Sequence, residues 1–212
     1  FVVTDARLPA AVLQRLLERA SACSFNAITV DGDTSTSDTL LLLATQQAHH
    51  HPVTDASDSR LDGFTDALED VLEELARLVV KDGEGAQKFI TIRVEGATSD
   101  ASARRIGLTI GNSPLVKTAI AGGDANWGRV VAAVGRSGEP VQVHRLGVAF
   151  GGHPVARDGA AVPDLDEAPV AAHLAGQEIE IAVRVGDGKG AATVWTCDLT
   201  HGYVDINADY RS

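Results

Sequence analysis

The stretch IEIAVRVGDGKGAATVWTCDL, residues 179–199, decides the fold class. On either side of GDGKG, apolar residues alternate with polar or small ones, which is typical of strands that bury one face. The glycine-rich segment between the two runs is suited to a tight turn. The last third of the chain is therefore predicted to be dominated by antiparallel strands.

Outward from this stretch, the remaining patterns are mixed. LGVAFGGHPV at 146–155 predicts a further hairpin, and 164–175 predicts a helix. Upstream, apolar residues at helical spacing predict helices over 9–22 and 61–80. SFNAITV at 24–30 and TLLLLAT at 39–45 predict strands, the second more buried than the first. Helices and strands thus alternate early and antiparallel strands dominate late, which indicates the α+β class.

The same change of character predicts how the chain is organised. Residues 1–140 are predicted to form a layer of helices and strands, which carries Glu84 in the loop KDGEG and the segment NWGR. Residues 141–212 are predicted to form mainly antiparallel strands with one helix and a carboxyl-terminal tail. No internal repeat or low-complexity linker interrupts either part.

Composition excludes several classes of partner. The 212 residues carry a formal net charge of −11, which would repel a phosphate backbone, so nucleic acid is not expected. The sequence has no apolar run near the roughly 20 residues that span a bilayer, so no membrane partner is expected. Two cysteines are too few for a disulfide scaffold, and we interpret them as reduced core thiols in a cytoplasmic protein.

Local motifs name no catalytic group. The sequence contains neither a G-x-S-x-G elbow nor an H-E-x-x-H pair. VDGDTSTSD lacks the glycine at the sixth position and the distal glutamate that a calcium loop requires. The adjacent histidines at 49–51 are interpreted as part of a solvated loop, so no metal site is predicted. On these grounds alone Glu84 is more simply explained as a solvated turn residue.

Three longer blocks, taken together, do carry an identification. SFNAITVDGDTSTSDTLLLLAT, SPLVKTAIAGGDANWGRVVAAVGRSG and CDLTHGYVDINADYRS resemble, in order, the ornithine acetyltransferase family, also called glutamate N-acetyltransferase. The resemblance implies the layered α/β/β/α-like architecture of self-cleaving acyltransferases with an amino-terminal threonine. It also implies that the chain is the β chain of a self-cleaved precursor. The sequence contains no methionine, so we expect Phe1 to be a cut end. A β chain released from a precursor needs no initiator methionine, which agrees with that expectation.

The resemblance implies a two-step reaction in arginine biosynthesis. The threonine hydroxyl takes the acetyl group from N-acetylornithine and passes it to glutamate, without an external cofactor. The amine freed by cleavage serves as the base for that hydroxyl. No catalytic residue is expected within this chain, because the family's threonine stands just before the segment that matches FVVTDA.

Three residues of this chain match the family's substrate-binding positions: Glu84 in KDGEG, and Asn207 and Ser212 in NADYRS. A carboxylate suits the charged amino group of ornithine, and neutral hydrogen-bond donors suit an amino acid's carboxylate. Under the resemblance, Glu84 and the carboxyl-terminal residues are therefore expected to bind substrate.

The expected partner is the α chain of the same precursor, with which this chain would form one compact unit and assemble as α2β2 or larger. The resemblance leaves open whether acetyl-CoA is a second donor. Three alternatives also remain open: a related self-cleaving amide hydrolase, an acyltransferase of secondary metabolism, and a non-catalytic acidic subunit. The last of these would be favoured if the residue preceding this segment were not threonine.

Overall fold

The computed structural model describes residues 1–210 and divides them into two compact units. The first comprises 1–26 and 34–76, and the second comprises 27–33 and the chain from Arg77 onward. Residue 140, the boundary predicted from the sequence, lies inside the second unit. In the described part of the chain, no helix has the length and apolarity needed to cross a membrane.

The first unit forms around the amphipathic helix α1. Its elements are β1 (Val2–Thr4), α1 (Ala10–Ala22), β2 (Leu42–Ala44), a 3-10 helix (Ser59–Leu61) and the first turns of α2 (Asp62–Lys81). One face of α1 buries Val12, Leu16 and Ala20 in a core shared with Leu68 and Leu72 of α2. Both helices occur where the apolar spacing predicts them, because an apolar stripe at that spacing becomes buried only in a helix.

Two strand predictions in the first third need correction. SFNAITV is not a strand: Phe25–Ala27 form a 3-10 helix, and Ile28 makes an isolated bridge to Trp195. Alternation alone supplies no hydrogen-bonding partner, and an unpaired extended segment is unstable. TLLLLAT does contain a strand, but β2 is three residues long and pairs in parallel with β1. Leu41, just before β2, and Leu43 within it are exposed, contrary to the predicted burial.

The second unit is built around what we call the large sheet. Within residues 1–210 its strands are β3 (Phe89–Ala97), β4 (Gly147–Phe150), β5 (His153–Arg157), β6 (Ala160–Ala161), β7 (Glu178–Arg184) and β8 (Gly190–Cys197), in the order β6-β5-β4-β7-β3-β8. The predicted hairpin at 146–155 is confirmed by the antiparallel pair β4 and β5. Gly151 and Gly152 form its turn with positive φ, a conformation that glycine adopts without steric cost.

The two strands of IEIAVRVGDGKGAATVWTCDL are confirmed, but they are not neighbours. β3 lies between them, parallel to β7 and antiparallel to β8. Ile90, Ile92 and Val94 of β3, which share one face of the strand, are fully buried, whereas Arg93 and Glu95 on the other face are exposed. Sequence alternation reports which face of a strand is buried and carries no information on which strand pairs with it.

Helices cover the large sheet and complete the unit. They are α3 (Asp100–Gly111), α4 (Pro114–Ala121), α5 (Trp127–Arg136), α6 (Glu167–Leu174) and α7 (His201–Asp209), with a 3-10 helix at Val143–Arg145. α3 packs against β3 and β8, and its Ile106 and Ile110 are fully buried. α7 buries none of its side chains and lies at the surface. The mixture of helices with a mostly antiparallel sheet confirms the α+β class.

Candidate functional site

Glu84 lies on a short loop between α2 and β3, in the second unit. Thr200, the N-cap residue of α7, holds this loop from the other side. Its hydroxyl donates to the Gly85 carbonyl oxygen at 2.7 Å and accepts from the Gly202 backbone N–H at 3.1 Å. One side chain thus caps the helix and ties the Glu84 loop to its amino-terminal end.

The loop approaches α7 so closely that only glycine fits beside Glu84. Gly85 has a φ of +69°, and a Cβ built there would lie 2.3 Å from the backbone nitrogen of Tyr203. Both the left-handed backbone conformation and the contact with another main chain exclude a larger residue. Of the two glycines that flank Glu84 in KDGEG, the second, Gly85, is therefore required by the structure.

The structure brings Glu84 and Asn207 together. The Asn207 side-chain amide donates to the Glu84 Oε2 atom at 2.7 Å and to the Tyr203 carbonyl oxygen at 3.0 Å. Asn207 on α7 and Glu84 on its loop are both exposed. Two of the three residues predicted to bind substrate therefore form one cluster. The third, Ser212, lies outside the described residues.

Asp198 anchors the base of the same loop. This carboxylate is 2% exposed and accepts hydrogen bonds at its Oδ1 atom from the backbone N–H groups of Gln87 and Lys88, at 2.8 and 2.9 Å. Its Oδ2 atom has no hydrogen-bond partner among the described residues. Because a buried carboxylate needs compensating donors, its hydrogen bonds with the two N–H groups fix where the Glu84 loop enters β3.

Tyr203 links this cluster to the segment 27–33. Its hydroxyl donates to the Asp31 Oδ2 atom at 3.1 Å. Partial burial, followed by the hydrogen bond to Asp31 and the nearby charges of Asp31, Glu84 and Asp33, raises the pKa of the Tyr203 phenol. Negative charge is therefore concentrated around one neutral ring. Such a surface attracts a positively charged amine and disfavours ionisation of the phenol itself.

Lys117 supports the segment that carries Asp31. This ammonium is 3% exposed and donates to the carbonyl oxygens of Val30 and Cys197, and to the Thr196 hydroxyl at 2.9 Å. Burial lowers the pKa of Lys117, although Cys197 and nearby carboxylates oppose that change, and burial raises the pKa of the Cys197 thiol. Three oxygen acceptors compensate the buried charge and tie 27–33 to β8.

Sequence reasoning missed these supporting residues. Asp31 lies in VDGDTSTSD, which the sequence explains as a polar connection between strands and not as a calcium loop, and Asp198 directly follows the buried strand β8. A charged residue at the end of a buried strand is a signal that could have been used, since such groups are rarely buried without a partner. No set of three or more His, Cys, Asp or Glu side chains within residues 1–210 is placed to hold a metal ion.

Comparisons with known proteins agree on one family. The sequence profile of the ArgJ family matches residues 1–212. The arginine biosynthesis bifunctional protein ArgJ of Gluconobacter oxydans is 62% identical over 212 residues, which cover 100% of this chain and 50% of that protein. The protein of the same name from Zymomonas mobilis is 55% identical, covering 100% of this chain and 52% of that protein.

A solved structure agrees with the sequence comparisons. The crystal structure of arginine biosynthesis bifunctional protein argJ from Bacillus halodurans matches with a TM-score of 0.94 and 38% identity, covering 99% of this chain and 98% of that chain. The described fold is therefore also the fold of that chain. The chain spans about half the length of the curated relatives that it matches.

Proposed function

Since the chain belongs to the ArgJ family, we propose that it is the β chain of a self-cleaving acetyltransferase. The whole protein would move the acetyl group of N-acetylornithine to glutamate, a step of arginine biosynthesis. The names of the relatives support the pathway, and their length supports a longer polypeptide of which this chain is one part. The proposed nucleophile is a threonine that precedes Phe1.

The observation that carries the proposal is the contact between Glu84 and Asn207. One carboxylate and one amide at the surface, with Asp31 and Asp33 nearby, suit a ligand that has both an ammonium and a carboxylate group. We assign the ammonium of N-acetylornithine to Glu84 and the substrate carboxylate to Asn207 and Ser212. Since both N–H groups of Asn207 are donated without substrate, to Glu84 and to the Tyr203 carbonyl oxygen, one of them would turn to the substrate carboxylate on binding. This chain would then bind and orient N-acetylornithine and glutamate.

The proposed reaction transfers the acetyl group twice, first to threonine and then to glutamate. The threonine hydroxyl oxygen attacks the acetamide carbonyl, and its proton passes to the free α-amine of the same threonine. The C–N bond then breaks, the proton goes to the departing amine, and ornithine leaves an acetyl-threonine ester. The amine of glutamate attacks that ester, the C–O bond breaks, and threonine recovers its proton. The residues of this chain would hold the attacking amine near the ester.

The partner in this proposal is the α chain of the same precursor, in an α2β2 or larger assembly located in the cytoplasm. A buried core divided between two chains requires that the two fold and stay together. Acetyl-CoA is not needed for the exchange itself, because acetylornithine already carries the acetyl group. Whether acetyl-CoA also serves as donor would be decided by offering it in place of acetylornithine.

The test is the intact mass of each chain after brief incubation with N-acetylornithine and an acid quench. We expect a chain that begins with threonine and contains this sequence to gain one acetyl group, and to lose it when glutamate is added. A chain that gains no acetyl group would contradict the transferase. Loss of the acetyl group to water at the same rate without glutamate would instead identify an amide hydrolase.

A further inference from the structure

One face of α7 holds two carboxylates that come from different segments of the chain. Tyr203 and Asn207 are four residues apart on this helix, so their side chains lie on the same face, with Cβ atoms about 5–6 Å apart. The Tyr203 hydroxyl donates to Asp31, and the Asn207 amide donates to Glu84. Donors one helical turn apart therefore hold Asp31 and Glu84 beside each other.

The orientation of Asp31 is fixed before any ligand binds. Its Oδ1 atom accepts from the Asp33 backbone N–H at 2.9 Å, and its Oδ2 atom accepts from the Tyr203 hydroxyl at 3.1 Å. The preceding carbonyl oxygen, that of Val30, accepts from the buried ammonium of Lys117 at 2.6 Å. Since an ionised carboxylate offers about four lone-pair positions, Asp31 keeps acceptor capacity for a ligand while its side chain is already ordered.

The two carboxylates face solvent without a cation of their own. Asp31 and Glu84 are exposed, and within residues 1–210 neither forms an ion pair with a lysine or arginine. The charge of Lys117 does act on Asp31, but that ammonium is buried and donates to other oxygens. The charges of Asp31 and Glu84 both act on the Tyr203 phenol, so they bear on one place.

These charges distinguish between amino acids by the end of the side chain. An ammonium brings three N–H donors and no acceptor, so one such group can be shared between two carboxylates. A side-chain carboxylate at the same place would be repelled by both, and it would find only the Tyr203 and Asn207 donors, which are already used.

We propose that Asp31 is a second carboxylate for the ammonium of the donor, and that with Glu84 it makes this surface selective for amino acids that carry a side-chain ammonium. The role of Asp31 rests on the proposed function, in which Glu84 alone meets that ammonium. Asp31 then determines specificity, and Tyr203 is the residue that positions it. The same pair disfavours the side-chain carboxylate of glutamate, so ornithine is bound in preference to the acceptor.

Isothermal titration calorimetry tests this selectivity in the protein expressed from its complete coding sequence. The ligands are ornithine, glutamate and norvaline, which has the carbon skeleton of ornithine without the side-chain ammonium. Asp31→Asn removes the charge and keeps an acceptor oxygen. We expect the Kd of ornithine to rise about fivefold, that of norvaline to change less than about twofold, and that of glutamate to fall. A merely structural role would weaken the binding of all three ligands alike, and that result would overturn the proposal.

Asp158→Asn is the matched control. Asp158 is exposed in the turn between β5 and β6, with a φ of +51°, which asparagine tolerates. In the described part of the large sheet, β6 is at one edge and β8, which α7 follows, is at the other. The substitution therefore makes the same change in net charge far from α7, and we expect it to leave all three Kd values unchanged. Equal effects of Asp158→Asn and Asp31→Asn would mean that only the total charge matters.

A second variant separates the charge of Asp31 from its fit. Asp31→Glu keeps the carboxylate and lengthens the side chain by one methylene group. We expect it to bind ornithine more tightly than Asp31→Asn does and to retain the preference for ornithine over norvaline. If Asp31→Glu and Asp31→Asn weaken ornithine and norvaline to the same extent, the segment 27–33 supports the fold only and the proposal is wrong.

The role of Asp31 and the proposed function fail in different ways. Acetyl-threonine formation is measured by intact mass on the same preparation of the wild type. If the acetyl group appears but Asp31→Asn leaves the preference for ornithine unchanged, the transferase stands and Asp31 does not determine specificity. If no acetyl group appears but Asp31→Asn weakens ornithine and strengthens glutamate, the surface binds basic amino acids and the proposed reaction is wrong.

Discussion

The Asn207 side-chain amide donates a hydrogen bond to the Glu84 Oε2 atom over 2.7 Å, although 123 positions separate the two residues in the sequence. The contact exists because the loop after α2 is held against the first turn of α7 by Thr200. A loop residue and a residue near the carboxyl end thereby become one surface. Four predictions test the residues that form and support this surface.

Removal of the Glu84 charge should weaken substrate binding without unfolding the protein. Glu84→Gln keeps the size and an acceptor oxygen but loses the ion pair with a substrate ammonium. A hydrogen bond to a charged group contributes about 1.5–3 kcal/mol, so the KM for N-acetylornithine should rise roughly tenfold or more. Steady-state kinetics measure the effect, and Glu167→Gln on α6, an exposed acid outside the cluster, is the matched control. An unchanged KM for Glu84→Gln would refute the assigned role.

Gly85 and Gly123 offer a matched pair of substitutions. Their φ angles are +69° and +71°, but a Cβ at Gly85 meets the Tyr203 main chain whereas nothing lies within 4 Å at Gly123. Both alanine variants lose about 1 kcal/mol from backbone strain. Gly85→Ala should lose at least about 1 kcal/mol more and should also raise the KM, since the loop must move away from α7. Urea denaturation compares them, and equal losses would mean that the close approach is not maintained in solution.

Asp198 should matter for stability through the N–H groups of Gln87 and Lys88. Asp198→Ala leaves both of these partly buried donors without their acceptor, which costs about 2 kcal/mol. Asp198→Asn retains an oxygen at the Oδ1 position and should lose clearly less. Chemical denaturation of the two variants tests this difference, with Asp209→Ala on the exposed end of α7 as the control. If alanine and asparagine were equally damaging, the negative charge and not the two hydrogen bonds would be what the loop requires.

The phenol of Tyr203 should titrate above its usual value of 10.0. Ionisation would remove the proton shared with Asp31 and place a second negative charge beside it, so the folded state favours the neutral phenol. A pKa raised in the folded state contributes stability that is present below pH 10.0 and is lost as the pH rises through the folded-state pKa.

The difference in near-ultraviolet absorbance between the wild type and Tyr203→Phe isolates this titration. We expect a midpoint above pH 10.0 and a lower midpoint in Asp31→Asn, because the substitution removes one of the nearby charges. A midpoint that Asp31→Asn leaves unchanged would assign the raised pKa to partial burial and to the charges of Glu84 and Asp33.

Much of the local structure was predictable from the sequence. α1 and α2 occur where apolar residues repeat at helical spacing, and the hairpin β4–β5 occurs at its paired glycines. These features depend on neighbours within a few residues, which the sequence displays directly. The resemblance to one family, carried by three sequence blocks, also indicates Asn207 in the last block and Glu84 in KDGEG as candidates, without indicating that they are in contact.

Other features were decided only by tertiary structure. Nothing in the alternation of residues 179–199 indicates that β3 inserts between β7 and β8. That order buries Ile90, Ile92 and Val94 on one face of the sheet, under α3, which is a property of the assembled core. The short β2 with its exposed leucines likewise could not be foreseen, because the burial of a strand depends on what covers it.

The sequence by itself determined the α+β class, the main helices, the family and the candidate residues. The tertiary structure decided the strand order, the anchoring of the Glu84 loop by Asp198 and Thr200, and the contact between Glu84 and Asn207. The physical reason is the range of the interactions. Periodicity and turn chemistry act between near neighbours, whereas strand pairing and buried polar contacts join segments that only the packed core brings together.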